Sequence, residues 1–286
     1  MRVALSTHGV VYKPLDVRTI ERIAAAGFDS IELWGMRPHL DYGEESVLRE
    51  IVRAVRDTGL RVESWHAPFY SDFESLYAGK RLSLVADAEK ERRIAVDEIR
   101  RSIDGLTHFG GGIAVIHPGR TNESDSPRKR EWLLDGLRKV AAHVVDSPIR
   151  LAIENLLSDF STPDVLCEVV DILARDSIDI GICLDVGHAN VTGHLGDKIR
   201  MLGHRLITTH LSDNLGDNDS HLVPGEGTID WPDVLSAISL TGYDGRLVLE
   251  PRDESRGEKR VDVLMGRYAR GADLIRRSLP ARASST

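Results

Sequence analysis

Nine residues of the types that bind divalent cations, His66, His117, Glu154, Asp185, His188, His210, Asp219, His221 and Glu250, stand at or shortly after the ends of short apolar runs. Glu154 closes Leu151-Ala152-Ile153 and Glu250 closes Leu247-Val248-Leu249. A carboxylate directly behind three apolar strand residues is costly to bury without a partner, and a cation is the simplest one. An ion pair to Arg252 or another strand-end base is the alternative. Asp185 and His188 are separated by Val186-Gly187. Both can face one mouth, one can orient the other, or the pair can be a local hydrogen-bonded turn. His210 ends Leu206-Ile207-Thr208-Thr209 and offers the nitrogen donor expected in a mixed oxygen and nitrogen site for Zn, Mn or Co. A single strand-end histidine often only satisfies loop backbone. Six run ends carrying His66, His117, Glu154, Asp185, His210 and Glu250 ask for a common explanation.

The elements that must position these residues follow from the pattern of apolar runs. Residues 2–7, 30–34, 61–66, 113–117, 150–154, 180–185, 206–210 and 246–250 read as strands. Between them lie stretches of helical period, such as 17–26, 45–57, 87–109 and 127–145, and Pro163 opens another helix after the cap candidates Ser161 and Thr162. Each crossover is long enough to return the chain for a parallel strand. Alternation of eight strands with helices predicts an α/β fold, a single (β/α)8 TIM barrel over residues 1–278, with a small or polar tail at 279–286 expected to fray. In such a barrel the loops after the strand ends surround one mouth, so ligands distant in sequence converge.

The length of 286 residues fits one such barrel, for which ~250 is usual. A formal net charge of −8 weighs against nucleic acid as a partner, since duplex phosphates call for a basic face. Cys167 and Cys183 are too few for a disulfide framework and lack metal spacing, which fits a reducing cytoplasm. No run approaches the ~20 apolar residues of a membrane helix, and the first residues lack the pattern of a secretory signal, so the expected protein is cytoplasmic, with no membrane partner.

Six segments together resemble the xylose isomerase-like barrel superfamily, which contains sugar isomerases, hexulose epimerases, inosose-processing enzymes and endonuclease IV. They are Ser64-Trp65-His66-Ala67-Pro68-Phe69, Ile116-His117-Pro118-Gly119, Ile153-Glu154-Asn155, Leu184-Asp185-Val186-Gly187-His188-Ala189-Asn190, His210-Leu211-Ser212-Asp213-Asn214 and Pro224-Gly225-Glu226-Gly227-Thr228-Ile229-Asp230-Trp231. Resemblance to the epimerases implies a divalent metal (Mn, Co, Mg or Zn) on Glu154, Asp185, His210 and Glu250, with Glu154 and Glu250 as the catalytic acid/base pair. The implied activity is isomerisation or epimerisation of a small carbohydrate, a sugar or polyol ketone, by proton transfer through an enediolate. The chain also resembles endonuclease IV at all nine positions. That pattern implies two or three Zn or Mn ions: one on His66, His117 and Glu154, a second on Glu154, Asp185, His210 and Glu250, and a third on His188, Asp219 and His221. The alternative activity is then that of a multinuclear metal-dependent hydrolase or phosphodiesterase. Hexulose epimerases usually place a substrate-contacting arginine between the strand-end histidine and the Pro-Gly-x-Gly turn. This chain has no arginine from His210 to Trp231.

His66, His188 and Trp34 are candidate substrate-binding residues, and His8 is a further pocket candidate; an indole face packs well on a sugar, although Trp34 can also simply seal the mouth. Residues 69–86 form a loop with Phe69, Tyr70, Phe73 and Tyr77, which suits a lid over an enediolate or a contact in a homo-oligomer. Gly110-Gly111-Gly112 precedes a strand, whereas a phosphate cradle follows one.

Overall fold

Eight apolar runs form strands: β1 (Arg2–Ser6), β2 (Ser30–Trp34), β3 (Arg61–His66), β4 (Gly112–Ile116), β5 (Ile149–Glu154), β6 (Ile180–Asp185), β7 (Leu206–Leu211) and β8 (Arg246–Leu249). All neighbours pair parallel in chain order, and β8 closes on β1 with Leu249 opposite Leu5. This is the expected (β/α)8 barrel, in a computed structural model that describes residues 1–120, 123–193, 195–253 and 255–280. The strands lie within a residue or two of the positions read from the sequence. His117 and Glu250 fall just beyond their strands and open the following loops.

The crossovers are α1 (Val17–Ala25), α2 (Glu45–Thr58), α3 (Phe73–Tyr77), α4 (Glu89–Thr107), α5 (Pro127–Val144), α6 (Pro163–Arg175), α7 (Val186–Val191), α8 (Asp197–Arg200), α9 (Trp231–Leu240) and α10 (Val261–Ser278). Two starts carry side-chain caps beyond those expected from the sequence: Asp16 accepts from the Thr19 amide at 2.8 Å, and Ser126 precedes Pro127 and accepts from the Lys129 amide at 3.2 Å. Of the expected candidates before Pro163, Thr162 occupies the N-cap position of α6 without a side-chain cap bond, and the Ser161 hydroxyl instead bonds within residues 156–161. Gly59 ends α2 with φ of 72°, the left-handed stop that a side chain would resist. The short helices α3, α7 and α8 have too little periodicity to be read from sequence.

Helix faces and outward strand residues share one large core that includes Ile20, Ile31, Leu33, Trp65, Ile103, Leu137, Leu166 and Tyr268. Inside the barrel, Val115, Ala152, Cys183 and Ile207 form a separate buried cluster. Side chains alternate faces along a strand, so Glu154 lies on the face of Ala152, and Asp185 on that of Cys183. The barrel interior is thus a plug of apolar and small residues with acidic side chains resting on its C-terminal side. Leu279 packs against the main core, while residues 281–286 of the expected tail lie outside the described residues. Among the described residues no helix is long and apolar enough to cross a membrane.

Candidate metal centre

Glu154 is the hub of the C-terminal mouth. Its Oε2 lies 3.2 Å from His66 Nε2 and 3.0 Å from His117 Nε2, and its Oε1 lies 3.0 Å from His210 Nδ1. Glu250 approaches the same nitrogen, with Oε2 3.6 Å from His210 Nδ1, and its Oε1 accepts from the Trp34 indole at 3.3 Å. Glu154, Asp185, His210 and Glu250, four segments distant in sequence, each bring a donor atom to within 4.8 Å of the other three. His66, Glu154 and His210 form an overlapping group of the same compactness, and His188 of α7 forms another with Asp219 and His221 of the loop after β7. All nine candidates therefore meet at one mouth. Arg252, the alternative partner for Glu250, instead donates to the Asp219 carbonyl at 3.2 Å.

The imidazoles are held so that one nitrogen faces inward. His66 Nδ1 donates to the Ala67 carbonyl at 2.8 Å, His188 Nδ1 to the Asn155 carbonyl at 2.8 Å, and His221 Nδ1 to the Glu250 carbonyl at 3.0 Å. Carbonyls only accept, so these bonds fix the proton on Nδ1 and turn Nε2 toward the acidic groups. His210 is reversed: Nε2 donates to Glu32 Oε2 at 3.0 Å and leaves Nδ1 facing Glu154 and Glu250. Glu32 in turn accepts from Ser64 Oγ at 2.7 Å. Asp185 Oδ1 caps α7 through the His188 amide at 2.7 Å, and Asn155 brackets Asp185 by bonding both its amide and its carbonyl.

Two oxygens at this mouth, Asp185 Oδ2 and Asp219 Oδ1, are buried without a hydrogen-bond donor. Such atoms are expensive unless something positive satisfies them, and the inward nitrogens and carboxylates around them are the donor set of a Zn, Mn or Co site. The residues fit a divalent cation on these grounds.

Electrostatics within the cluster push the two glutamates apart. Burial would raise Glu154, but His210 and His117 hold it well below the usual carboxylate range. Burial raises Glu250 to about 7, with His210 opposing and Glu154 reinforcing. His210 is lifted well above the ordinary imidazole value: burial opposes this, and Cys183 together with Glu250, Glu32 and Glu154 outweighs it. The Cys183 thiol is itself pushed well up by burial, so at neutral pH the carboxylates supply the field. In His221 burial is likewise outweighed, chiefly by Asp219, and the ring rises to about 9.

The remaining cavity measures about 40 Å³ and is lined by His8, Trp34, Phe69, Arg81 and the inward faces of the candidate ligands. His8 stacks on Trp34 with ring centroids 4.4 Å apart and directs an unpartnered Nδ1 to 4.0 Å from Glu250 Oε1. Of the expected lid, Phe69 stacks on His117 at 4.5 Å and Tyr70 is buried, whereas Tyr77 on α3 is exposed. The segment thus has an inner part packed on the site and an outer part in solvent. Larger cavities, of 350 to 500 Å³, lie at the N-terminal end of the barrel and among the outer helices.

Three residues of this site escape a reading by strand ends. Glu32 sits mid-strand between Ile31 and Leu33, and a lone carboxylate inside an apolar strand was its signal. Asn155 adjoins the Glu154 motif with no signal of its bracketing role. Arg81 closes a loop whose path the sequence does not disclose.

The profile of the xylose isomerase-like TIM barrel family matches residues 20–277. An uncharacterised protein, MJ1311, of Methanocaldococcus jannaschii is 31% identical over 209 residues, covering 70% of this chain and 67% of that one. D-psicose 3-epimerase of Agrobacterium fabrum is 26% identical over 271 residues, 92% of this chain and 89% of the relative. Among solved structures, an IolI protein with a bound zinc atom superposes with a TM-score of 0.77 at 15% identity, covering 98% of this chain and 100% of the other.

Proposed function

The chain belongs to the xylose isomerase-like TIM barrel family, and from that premise we propose that it is a divalent-metal-dependent isomerase or epimerase of sugars or polyol ketones. The observation that carries the reading is the meeting of Glu154, Asp185, His210 and Glu250 donor atoms within 4.8 Å, with both glutamates near one imidazole nitrogen, His210 Nδ1. Likeness to a D-psicose 3-epimerase and to a zinc-bound barrel supports it. Glu154, Asp185, His210 and Glu250 would hold the ion, which supplies Lewis acidity that polarises a carbonyl and steadies the charge of an enediolate. Glu154 and Glu250 are the acid/base pair, one taking the proton beside the carbonyl and the other returning one. Return to the opposite face of the same carbon is epimerisation, whereas return to the adjacent carbon interconverts aldose and ketose. Trp34 orients Glu250 through its indole N–H and, with His66 and His188, lines the space for substrate.

A second reading, a multinuclear hydrolase, is favoured by one observation, the compact His188, Asp219 and His221 group with its orphaned Asp219 oxygen. Elemental analysis of protein purified without chelators separates the two. About one metal per chain together with solvent deuterium entering a ketose is the expected result. Glu154→Gln and Glu250→Gln should each remove that exchange, by roughly a hundredfold or more, with the fold intact by circular dichroism. Exchange retained in both variants would falsify the acid/base assignment, and two or three metals without exchange would put hydrolysis first.

A further inference from the structure

Arg81 is the only arginine or lysine among the described residues that line the cavity. It comes from the segment between β3 and α4 and belongs to none of the candidate ligand groups. Its Nε donates to the Tyr70 hydroxyl at 2.8 Å, and its guanidinium carbon lies 5.6 Å from the centroids of both Phe69 and Tyr70. Phe69 stacks in turn on His117 at 4.5 Å, so one aromatic ring separates this permanent cation from the Glu154 cluster. The backbone beneath is braced as well: Arg120 Nε donates to the Arg81 carbonyl at 3.2 Å, and the Leu82 amide to the Phe69 carbonyl at 2.9 Å. The guanidinium is thus a fixed feature of the cavity wall.

A charge so placed discriminates between the ends of a small substrate. A planar guanidinium at one side of the cavity is suited to receive an anionic end. We infer that Arg81 is a specificity-determining residue, selecting keto-sugars with an anionic terminal group, carboxylate or phosphate, and directing that group away from the Glu154 and Glu250 end of the cavity. The inference rests on the proposed proton-transfer reading for the ketose part of the substrate.

The test is calorimetric binding of D-fructose, D-fructuronate and D-fructose 6-phosphate to the metal-loaded protein and its Arg81→Met and Arg81→Lys variants. The ratio of anionic to neutral affinity is the readout, because a purely structural loss weakens all three ligands alike and leaves the ratio unchanged. Wild type should prefer at least one anion by about tenfold or more, Arg81→Met should reduce that ratio to near one, and Arg81→Lys should keep part of it. Preference for the fructuronate identifies a carboxylate substrate, and preference for the phosphate ester a phosphorylated one. A ratio near one in wild type, a ratio unaltered in Arg81→Met, or no measurable binding of either anion overturns the inference. Deuterium exchange measured on the same samples separates the two readings: exchange with a flat ratio sinks only the role of Arg81, whereas an Arg81-dependent ratio without exchange sinks only the isomerase.

Discussion

At the scale of single residues, much of the candidate site rests on groups that hold the donors in place. Glu32 is fully buried, accepts a hydrogen bond from His210 Nε2, and thereby sets Nδ1 as the nitrogen facing Glu154 and Glu250. Burial alone would raise its carboxyl, and His210 pulls it below the usual value, so it faces the ring as an anion. Glu32→Gln keeps the shape and an accepting oxygen but removes the charge that makes the imidazole a stronger donor. Metal affinity should fall roughly 10- to 100-fold, the usual cost of losing such an outer partner, in competition titrations against a chelator. Unaltered affinity would show that Glu32 is a packing residue. The donors themselves were legible because a carboxylate or imidazole ending an apolar run is conspicuous. Glu32 carried only the weaker signal of a lone carboxylate within an apolar strand, and its role was hidden because its partner His210 is distant in sequence.

At the scale of elements, the loop carrying Asp219 and His221 is tied down by one buried carboxylate. Asp213 Oδ2 accepts from the Gly225 amide at 2.8 Å and the Trp231 indole at 3.0 Å, and its Oδ1 from the Asn214 and Ile229 amides at 3.0 and 3.2 Å. Its backbone forms a two-way bridge with Leu222, next to His221, whose φ of 46° is a left-handed conformation uncommon outside glycine. Strain of this kind persists only where the surroundings over-determine it. The motif around Asp213 was readable in the sequence, but its work as the anchor of a turn reaching to Trp231 was not, because that turn closes through space. Residues 69–86 were readable only as an aromatic loop, a lid or an oligomer contact, since packing on His117 decides which ring faces the site. Asp213→Asn sets an amide N–H₂ against donors that need an acceptor. It should cost roughly 2 kcal/mol or more of stability by urea unfolding and abolish binding of any second metal, while the first site persists. Full stability, or retention of a second ion, would assign the loop's geometry to other contacts.

At the scale of the whole molecule, closure of eight parallel strands brings four distant segments to one mouth, and that convergence follows from the fold class that the alternating runs already imply. It also concentrates buried charge. Without a cation the cluster relies on protons: His210 and His188 lie well above the imidazole range and His221 at about 9, each against the opposing effect of burial. A histidine raised in the folded state contributes stability that is fully present below its unfolded value of about 6.5 and is lost as pH rises through the folded value. The chelated protein should therefore weaken from about pH 6.5 to 9 as His221 loses its proton and Asp219 its counter-charge. A bound divalent cation replaces those protons and is held more tightly as they leave, because its imidazole ligands must be neutral. The melting temperature lost on adding EDTA should consequently grow with pH. At a free metal concentration 1,000 times the dissociation constant the ion contributes about 4 kcal/mol, a shift of several degrees by scanning calorimetry. A decrement that is equal at pH 6.5 and 9, or smaller at pH 9, would mean that protons on these imidazoles do not stand in for a cation and that the mouth is stable without one.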